Sequence, residues 1–206
     1  MVRRVFSQTQ EEQVLALARS ASLLRARDVA ALSLPTIILS RLVKDGRLRR
    51  VGRGVYAHPD RPLSEHISLA EIALRVPRGV ICLLSALQIH GLGTQTPHQV
   101  WLAIPQNSPT PRVERPSLRP VRMSGLALTE GIQFMHIDGL DVPVFNAAKT
   151  VADCFKYRNK IGVDVAIEAL RGGWEQRKFS MDDLSRYAHI DRVFNVMRPY
   201  MESVAA

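Results

Sequence analysis

Thr36, Ser40 and Lys44 recur every four residues, with Ile37 after the first of them and Arg41 after the second. On a helix that spacing stacks two hydroxyls and an ammonium on one face. Arg47, Arg49, Arg50 and Arg53 follow shortly after. Short hydroxyls and cationic side chains of this kind reach base edges and neutralise phosphates, and an exposed isoleucine can meet a thymine methyl. The chemistry implied is recognition of a polyanion.

The remaining reactive side chains do not assemble into a catalytic or metal-binding pattern. His58, His66, His90, His98, His136 and His189 form no His-x-His or His-x-x-x-His pair. Cys82 and Cys154 stand far from each other and from any ligand spacing, which predicts two small buried hydrophobes and no zinc site or disulfide. His90, before Gly91, reads as a packed or helix-terminal histidine. Lys149 and Asp153, four apart on an expected helix, form an ordinary intrahelical ion pair. Asp138 and Asp141 bracket a turn, but no Glu-x-Lys follows to complete a metal-dependent nuclease. Ser124-Gly125 is the reverse of the Gly-Ser that a nucleotidyltransferase needs, and no Asp-x-Asp or Asp-x-Glu occurs. Phosphate-cradling glycine loops and a Gly-x-Ser-x-Gly elbow are lacking as well. The expectation is a protein without catalytic residues, metal or cofactor, and not an enzyme. Trp101 and Trp174 read as core residues.

The elements that must position the cationic run follow from periodicity. Ser7-Gln8-Thr9-Gln10 has the form of a capping box ahead of Val14, Leu15, Leu17 and Ala18, predicting a first helix over about 9–20. A second helix fits 25–32, and a third runs from Pro35 to Asp45 and stops at Gly46, with Leu39, Leu42 and Val43 turned inward. Leu48 to Val51 and Val55 to Ala57 flank Gly52-Arg53-Gly54, which reads as a β-hairpin with an arginine at its tip. Three helices and a hairpin are the order of a winged helix-turn-helix, whose third helix enters the major groove. Thr36, Ile37, Ser40, Arg41, Lys44, Arg47, Arg49, Arg50 and Arg53 are therefore the expected contacts to double-stranded DNA.

His58 to Pro62 is charged, proline-rich punctuation, placing a domain boundary near 62. Beyond it the pattern predicts a helix over 64–76, another within 79–92, and a buried strand over 100–104. A basic, mobile loop is expected over 105–120, whose Arg112, Arg115 and Arg119, with Arg122 just beyond, could extend a phosphate track or meet an acidic partner. Strands are expected at 121–123, 132–137 and 142–145. Helices follow from Asn146 to about 157, over 163–170 ending at Gly172-Gly173, over 180–189, and over 192–202. The fold class is α+β: a winged helix-turn-helix over 1–62, then a mixed α+β domain over 63–206 with a small sheet and a helical C-terminal half.

Composition agrees with this division. The 206 residues include 28 Lys plus Arg against 19 Asp plus Glu, a net charge of +9. Residues 1–62 alone hold twelve basic and five acidic residues, so the excess is concentrated around the hairpin. With 46% hydrophobic residues the chain is neither disordered nor fibrous. No apolar run of membrane-spanning length and no signal-peptide core is present, so a soluble, cytoplasmic protein without membrane contact is expected.

The run from Leu39 to Tyr56, Leu-Ser-Arg-Leu-Val-Lys-Asp-Gly-Arg-Leu-Arg-Arg-Val-Gly-Arg-Gly-Val-Tyr, resembles the winged-helix signature of AbiEi-type antitoxins. These are the transcriptional-regulator half of type IV toxin–antitoxin systems. Looser matches follow in the family's order: Ser85 to Leu92, the strand ending Ile104-Pro105, and Val144 to Asp153. The resemblance implies a repressor that binds inverted repeats in its own promoter, and a C-terminal domain that neutralises a nucleotidyltransferase-like toxin without being an enzyme. Two other readings of the residues stand beside it: a winged-helix module that contacts protein or RNA, and a DNA-processing nuclease.

Overall fold

The computed structural model describes residues 8–21, 23–60, 64–113 and 116–205. Its contacts divide the chain into two compact units, one comprising residues 1–71 with 136–141, the other 72–135 with 142–206.

In the first unit, α1 (Gln8–Ser20), α2 (Ala26–Ala31) and α3 (Ile37–Lys44) precede the hairpin β2 (Arg49–Gly52) and β3 (Val55–Ala57). Ser7, the expected cap of α1, lies outside the described residues. A two-residue strand that periodicity missed, β1 (Leu24–Arg25), pairs antiparallel with β3, giving a three-stranded sheet of order β1-β3-β2. It displaces the start of the expected second helix, and Asp28 then closes that start by accepting from the Arg25 amide (3.1 Å) and Nε (2.8 Å). Apolar side chains of all three helices meet Leu48 and Tyr56 in one core. The hairpin turns at Arg53-Gly54, where Gly54 takes a left-handed φ of 72°.

Most of the five-stranded sheet, of order β6-β5-β4-β8-β7, lies in the second unit. The strands are β4 (Val80–Ile81), β5 (Val100–Pro105), β6 (Leu118–Met123), β7 (Ile132–Ile137) and β8 (Leu140–Phe145). Asp138 and Gly139, both at positive φ, make the tight turn between β7 and β8 that two-residue hairpins require. Three expectations need correction. The apolar run 79–92 is not one helix: β4 comes first, then α5 (Leu83–His90), which ends on the left-handed Gly91. A buried central strand and a buried helix share one composition, and two residues are too few to show a period. The expected loop 105–120 ends three residues early, because β6 begins at Leu118 and runs parallel to β5, with Val100 opposite Leu118 and Pro105 opposite Met123. Parallel neighbours need a long crossover, and the proline-dense stretch is that connection. Finally, the helix expected to stop before Gly172-Gly173 continues as α9 (Val163–Glu175). Gly173 is buried there, and a Cβ at this position would press into the Phe179 ring.

The helices α4 (Ile67–Arg75), α6 (Leu126–Thr129), α7 (Ala147–Lys156), α8 (Arg158–Ile161), α10 (Met181–Ile190) and α11 (Phe194–Ala205) complete the chain. The short α6 and α8 are too brief to leave a periodic signal. α7 is the centre of the second unit and packs on α5, α9 and α10. Asn146 caps it by accepting from the Lys149 amide (2.9 Å), as expected. Every residue from Ala147 to Phe155 is buried.

The Lys149–Asp153 pair is consequently no surface pair. Both side chains are fully buried, with Nζ 2.5 Å from the Asp153 carboxylate and 3.2 Å from that of Asp191, which closes α10. Lys156 reaches Asp191 from the next turn of α7, also at 3.2 Å. Burial lifts the Asp153 carboxyl well above its ordinary range; Lys149 pulls against the rise and Asp191 adds to it. Burial also opposes the Lys149 ammonium, but Asp153 and Asp191 outweigh it and hold its pKa above that of a free lysine.

Three predictions follow from this packing. Gly173→Ala should destabilise the protein by about 1–3 kcal/mol in urea unfolding, despite alanine's better helix propensity, because the core has no room for the methyl. Lys149→Met should lower stability by about 3–5 kcal/mol, since it leaves buried carboxylates without their central partner. Because the folded state holds the Asp153 proton more tightly than the unfolded chain, that group's contribution is complete below the ordinary carboxylate pKa and is lost as pH rises through the raised one. Asp153→Asn should therefore flatten that part of the stability-against-pH curve, measured by unfolding at a series of pH values.

Candidate nucleic-acid interface

The two sides of α3 have opposite tasks. Ile38, Leu39 and Leu42 are at most 1% exposed, within the core that includes Val14 and Ala18 of α1 and Val29 of α2. Val43 is half-buried. Away from that core, Ser40 and Lys44 are exposed, Ile37 is 59% exposed, and Thr36 is exposed at the N-cap position. The sequence-expected face is thus presented as a set, with its one apolar member in solvent.

The wing carries the remaining cations. Arg47, Arg49, Arg50 and Arg53 are all exposed, and Arg53 stands in the two-residue turn. Consecutive residues on a strand point to opposite faces, so Arg49 and Arg50 flank β2 instead of sharing one side. Arg50 Nε donates to the Gly52 carbonyl (3.3 Å), beside the register shift between Arg50 and Gly52. Gly52 is buried, and a Cβ there would come within 2.7 Å of the Glu71 carboxylate. A side chain at this position would have to displace the Glu71 carboxylate.

One member of this surface escapes periodicity. Glu11, in the first turn of α1, lies one helical turn before the buried Val14 and Leu15 and is thereby turned toward α3. Its Oε1 accepts from Arg41 Nη1 (3.3 Å) and its Oε2 from Arg47 Nη1 (3.2 Å). The Glu11 side chain is 17% exposed, against 38% and 47% for the two arginines. The only signal in the sequence is a charged residue at a position whose helical neighbours are core residues.

Two arginines of the other arginine-rich segment make contacts within the second unit. Arg122 Nη1 donates to the carbonyls of Gln106 (3.1 Å) and Ser108 (2.6 Å), and its Nη2 to Thr110 Oγ1 (3.2 Å). It lashes the outgoing leg of the crossover to β6. The Arg119 guanidinium lies 4.4 Å from the centre of the Trp101 ring, its partner in the strand register, and Trp101 is itself buried. Arg112 is exposed, and Arg115 lies outside the described residues.

Residues weighed for catalysis are held in structural contacts. Asp138 accepts from the Ser64 amide (3.1 Å) and hydroxyl (2.7 Å), and Asp141 lies 3.1 Å from His136 Nδ1. A cavity of about 340 Å³ in the second unit is lined by His90, Gln133, Asn146, Lys178 and Asp183 among others. His90 Nε2 donates to the Phe145 carbonyl (2.7 Å), and burial lowers its pKa although that bond favours the charged form, which leaves the ring neutral with its proton on Nε2. Asn146 Nδ2 donates to the Tyr187 hydroxyl (2.9 Å). Both cysteines are buried and free. Among the described residues no helix is long and apolar enough to cross a membrane.

Comparison with known proteins bears on both the surface and the fold. The RV2827C protein from Mycobacterium tuberculosis, a crystal structure, is similar over 90% of this chain and 72% of its own, with a TM-score of 0.60 and 16% identity. At that identity the likeness is one of fold. No curated protein matches the chain. The family model described as "Transcriptional regulator, AbiEi antitoxin" matches residues 12–59, from the first turns of α1 to just past the wing. The N-terminal region, carrying the exposed cationic face of α3 and its wing, is thus similar to the AbiEi antitoxin family of transcriptional regulators.

Proposed function

We propose that this chain is a sequence-specific repressor that binds double-stranded DNA at inverted repeats in its own promoter. In the same reading it is the antitoxin of a type IV toxin–antitoxin pair, neutralising a nucleotidyltransferase-like toxin in the cytoplasm without catalysing a reaction. The supporting observation is the outward side of α3 and the wing, where Thr36, Ile37, Ser40, Arg41, Lys44, Arg47, Arg49, Arg50 and Arg53 all stand exposed or half-buried while the opposite side of the helix is closed off. Residues 1–62 read the operator, and residues 63–206 meet the toxin.

The division of labour on the duplex follows from side-chain chemistry. Ser40, Arg41 and Lys44 have the reach and the donors for base edges in the major groove, and Ile37 offers an apolar contact to a thymine methyl. Arg47, Arg49, Arg50 and Arg53 neutralise phosphates and set the register of the helix in the groove.

A salt-titrated mobility-shift comparison of the gene's upstream DNA with a scrambled duplex of equal length tests the reading. The expected preference is about a thousandfold. Equal, steeply salt-dependent binding to both would overturn it in favour of a purely electrostatic contact. Arg53→Ala should weaken binding to both duplexes and reduce the slope of log K against log salt by about 0.9. Lys44→Ala, at a base-reading position, should remove about 1–3 kcal/mol from the preference for the upstream DNA.

A further inference from the structure

Glu11 is out of place on a phosphate-binding surface. A carboxylate there repels the duplex, and at 3.2–3.3 Å from Arg41 and Arg47 it offsets part of the positive charge that would otherwise face the backbone. Its geometry offers a return for that loss. The two guanidiniums come from different elements, Arg41 from the last turn of α3 and Arg47 from the segment leading into β2. Each of the two carboxylate oxygens accepts from one of them. The Glu11 stem is held in turn by the packing of α1 on α3 through Val14 and Leu15. A flexible arginine loses much rotamer freedom when it is fixed on a base, and one already fixed by a buried-side acid has less to lose. An arginine held in one direction is also less able to follow whatever phosphate is nearest.

We infer that Glu11 is a positioning residue for duplex recognition: by gripping Arg41 and Arg47 together it lowers affinity for arbitrary DNA and raises discrimination in favour of the cognate sequence. This rests on the proposed DNA-binding function and adds to it a residue that touches no nucleotide.

The test uses the full chain as wild type, Glu11→Gln and Glu11→Asp, each titrated with salt against the upstream duplex and the scrambled one. Glu11→Gln removes the charge and keeps the shape. It should bind the scrambled duplex several-fold more tightly, with a salt slope steeper by about one phosphate contact, and its preference for the upstream DNA should fall at least about tenfold. Glu11→Asp keeps the charge but is one methylene too short to reach both guanidiniums. It should tighten on scrambled DNA less than the Gln variant does, because the charge stays, and still lose preference. An Asp variant with wild-type preference, or a Gln variant that tightens on both duplexes by the same factor, would overturn the inference, since either result leaves only a charge effect. Unfolding curves confirm that the variants fold, and if Glu11→Gln does not, the Asp variant alone decides the matter. A wild-type protein that shows no preference would sink the DNA-reading function itself, a failure visible before any variant is made.

Discussion

Everything in the first unit depends on one eight-residue helix that must be apolar on one side and cationic on the other. A helix this short has little stability of its own, because nucleation is costly and few hydrogen bonds follow it. Its order comes from burying Ile38, Leu39 and Leu42, and those side chains need walls on several sides at once. α1 and α2 supply two of them, and Leu48 and Tyr56 at the base of the wing supply the third. The same packing that makes α3 form also fixes which of its residues are left in solvent. The exposed cationic face is thus a by-product of core chemistry, and the wing is at once part of the core and part of the cationic surface.

The second unit solves a different problem. α7 is buried from Ala147 to Phe155, so the polar side chains of that stretch cannot be turned outward and find partners inside. Thr150 donates to the Phe145 carbonyl at 3.1 Å, and Lys149 finds Asp153 and Asp191. A buried ion cluster of this kind contributes little net stability compared with a well-packed apolar substitute, yet removing one member is severe. What it does secure is register. Asp191 lies at the end of α10, and only one placement of α10 along α7 brings its carboxylate to both Lys149 and Lys156. The arrangement of these two helices is thereby specified by charge as well as by shape.

How far the sequence disclosed this depends on how local each signal is. The three N-terminal helices and the wing were legible because each carries its own period, its own stop and its own turn glycine. The expected α3 face is exposed as a set for the same reason. Elements defined by partners far along the chain were not legible: β1 exists only because β3 offers it an edge, and β4 only because it is wedged between β5 and β8. Lys149 and Asp153 read as an intrahelical pair because four-residue spacing is a local rule. The buried position of that pair, and Asp191 beside it, depend on contacts 42 residues apart. Gly172-Gly173 read as a stop because glycine is a poor helix former, and the requirement that overrode propensity there was the Phe179 ring.

Glu11 belongs to the same class of hidden feature, and the proposed DNA-reading function gives it a place on the cationic surface. If maximal attraction to a polyanion were the only demand, an acid between Arg41 and Arg47 would be a defect, since every cation left unpaired strengthens non-specific binding. Non-specific affinity is itself a burden for a regulator, because arbitrary sites vastly outnumber the intended one and compete in proportion to how tightly they are held. A surface that reads sequence must therefore be less attractive to DNA in general than its arginine content would allow. An interior-facing acid is a direct physical means to that end: it subtracts charge where charge does not discriminate, and it converts two mobile cations into two directed donors.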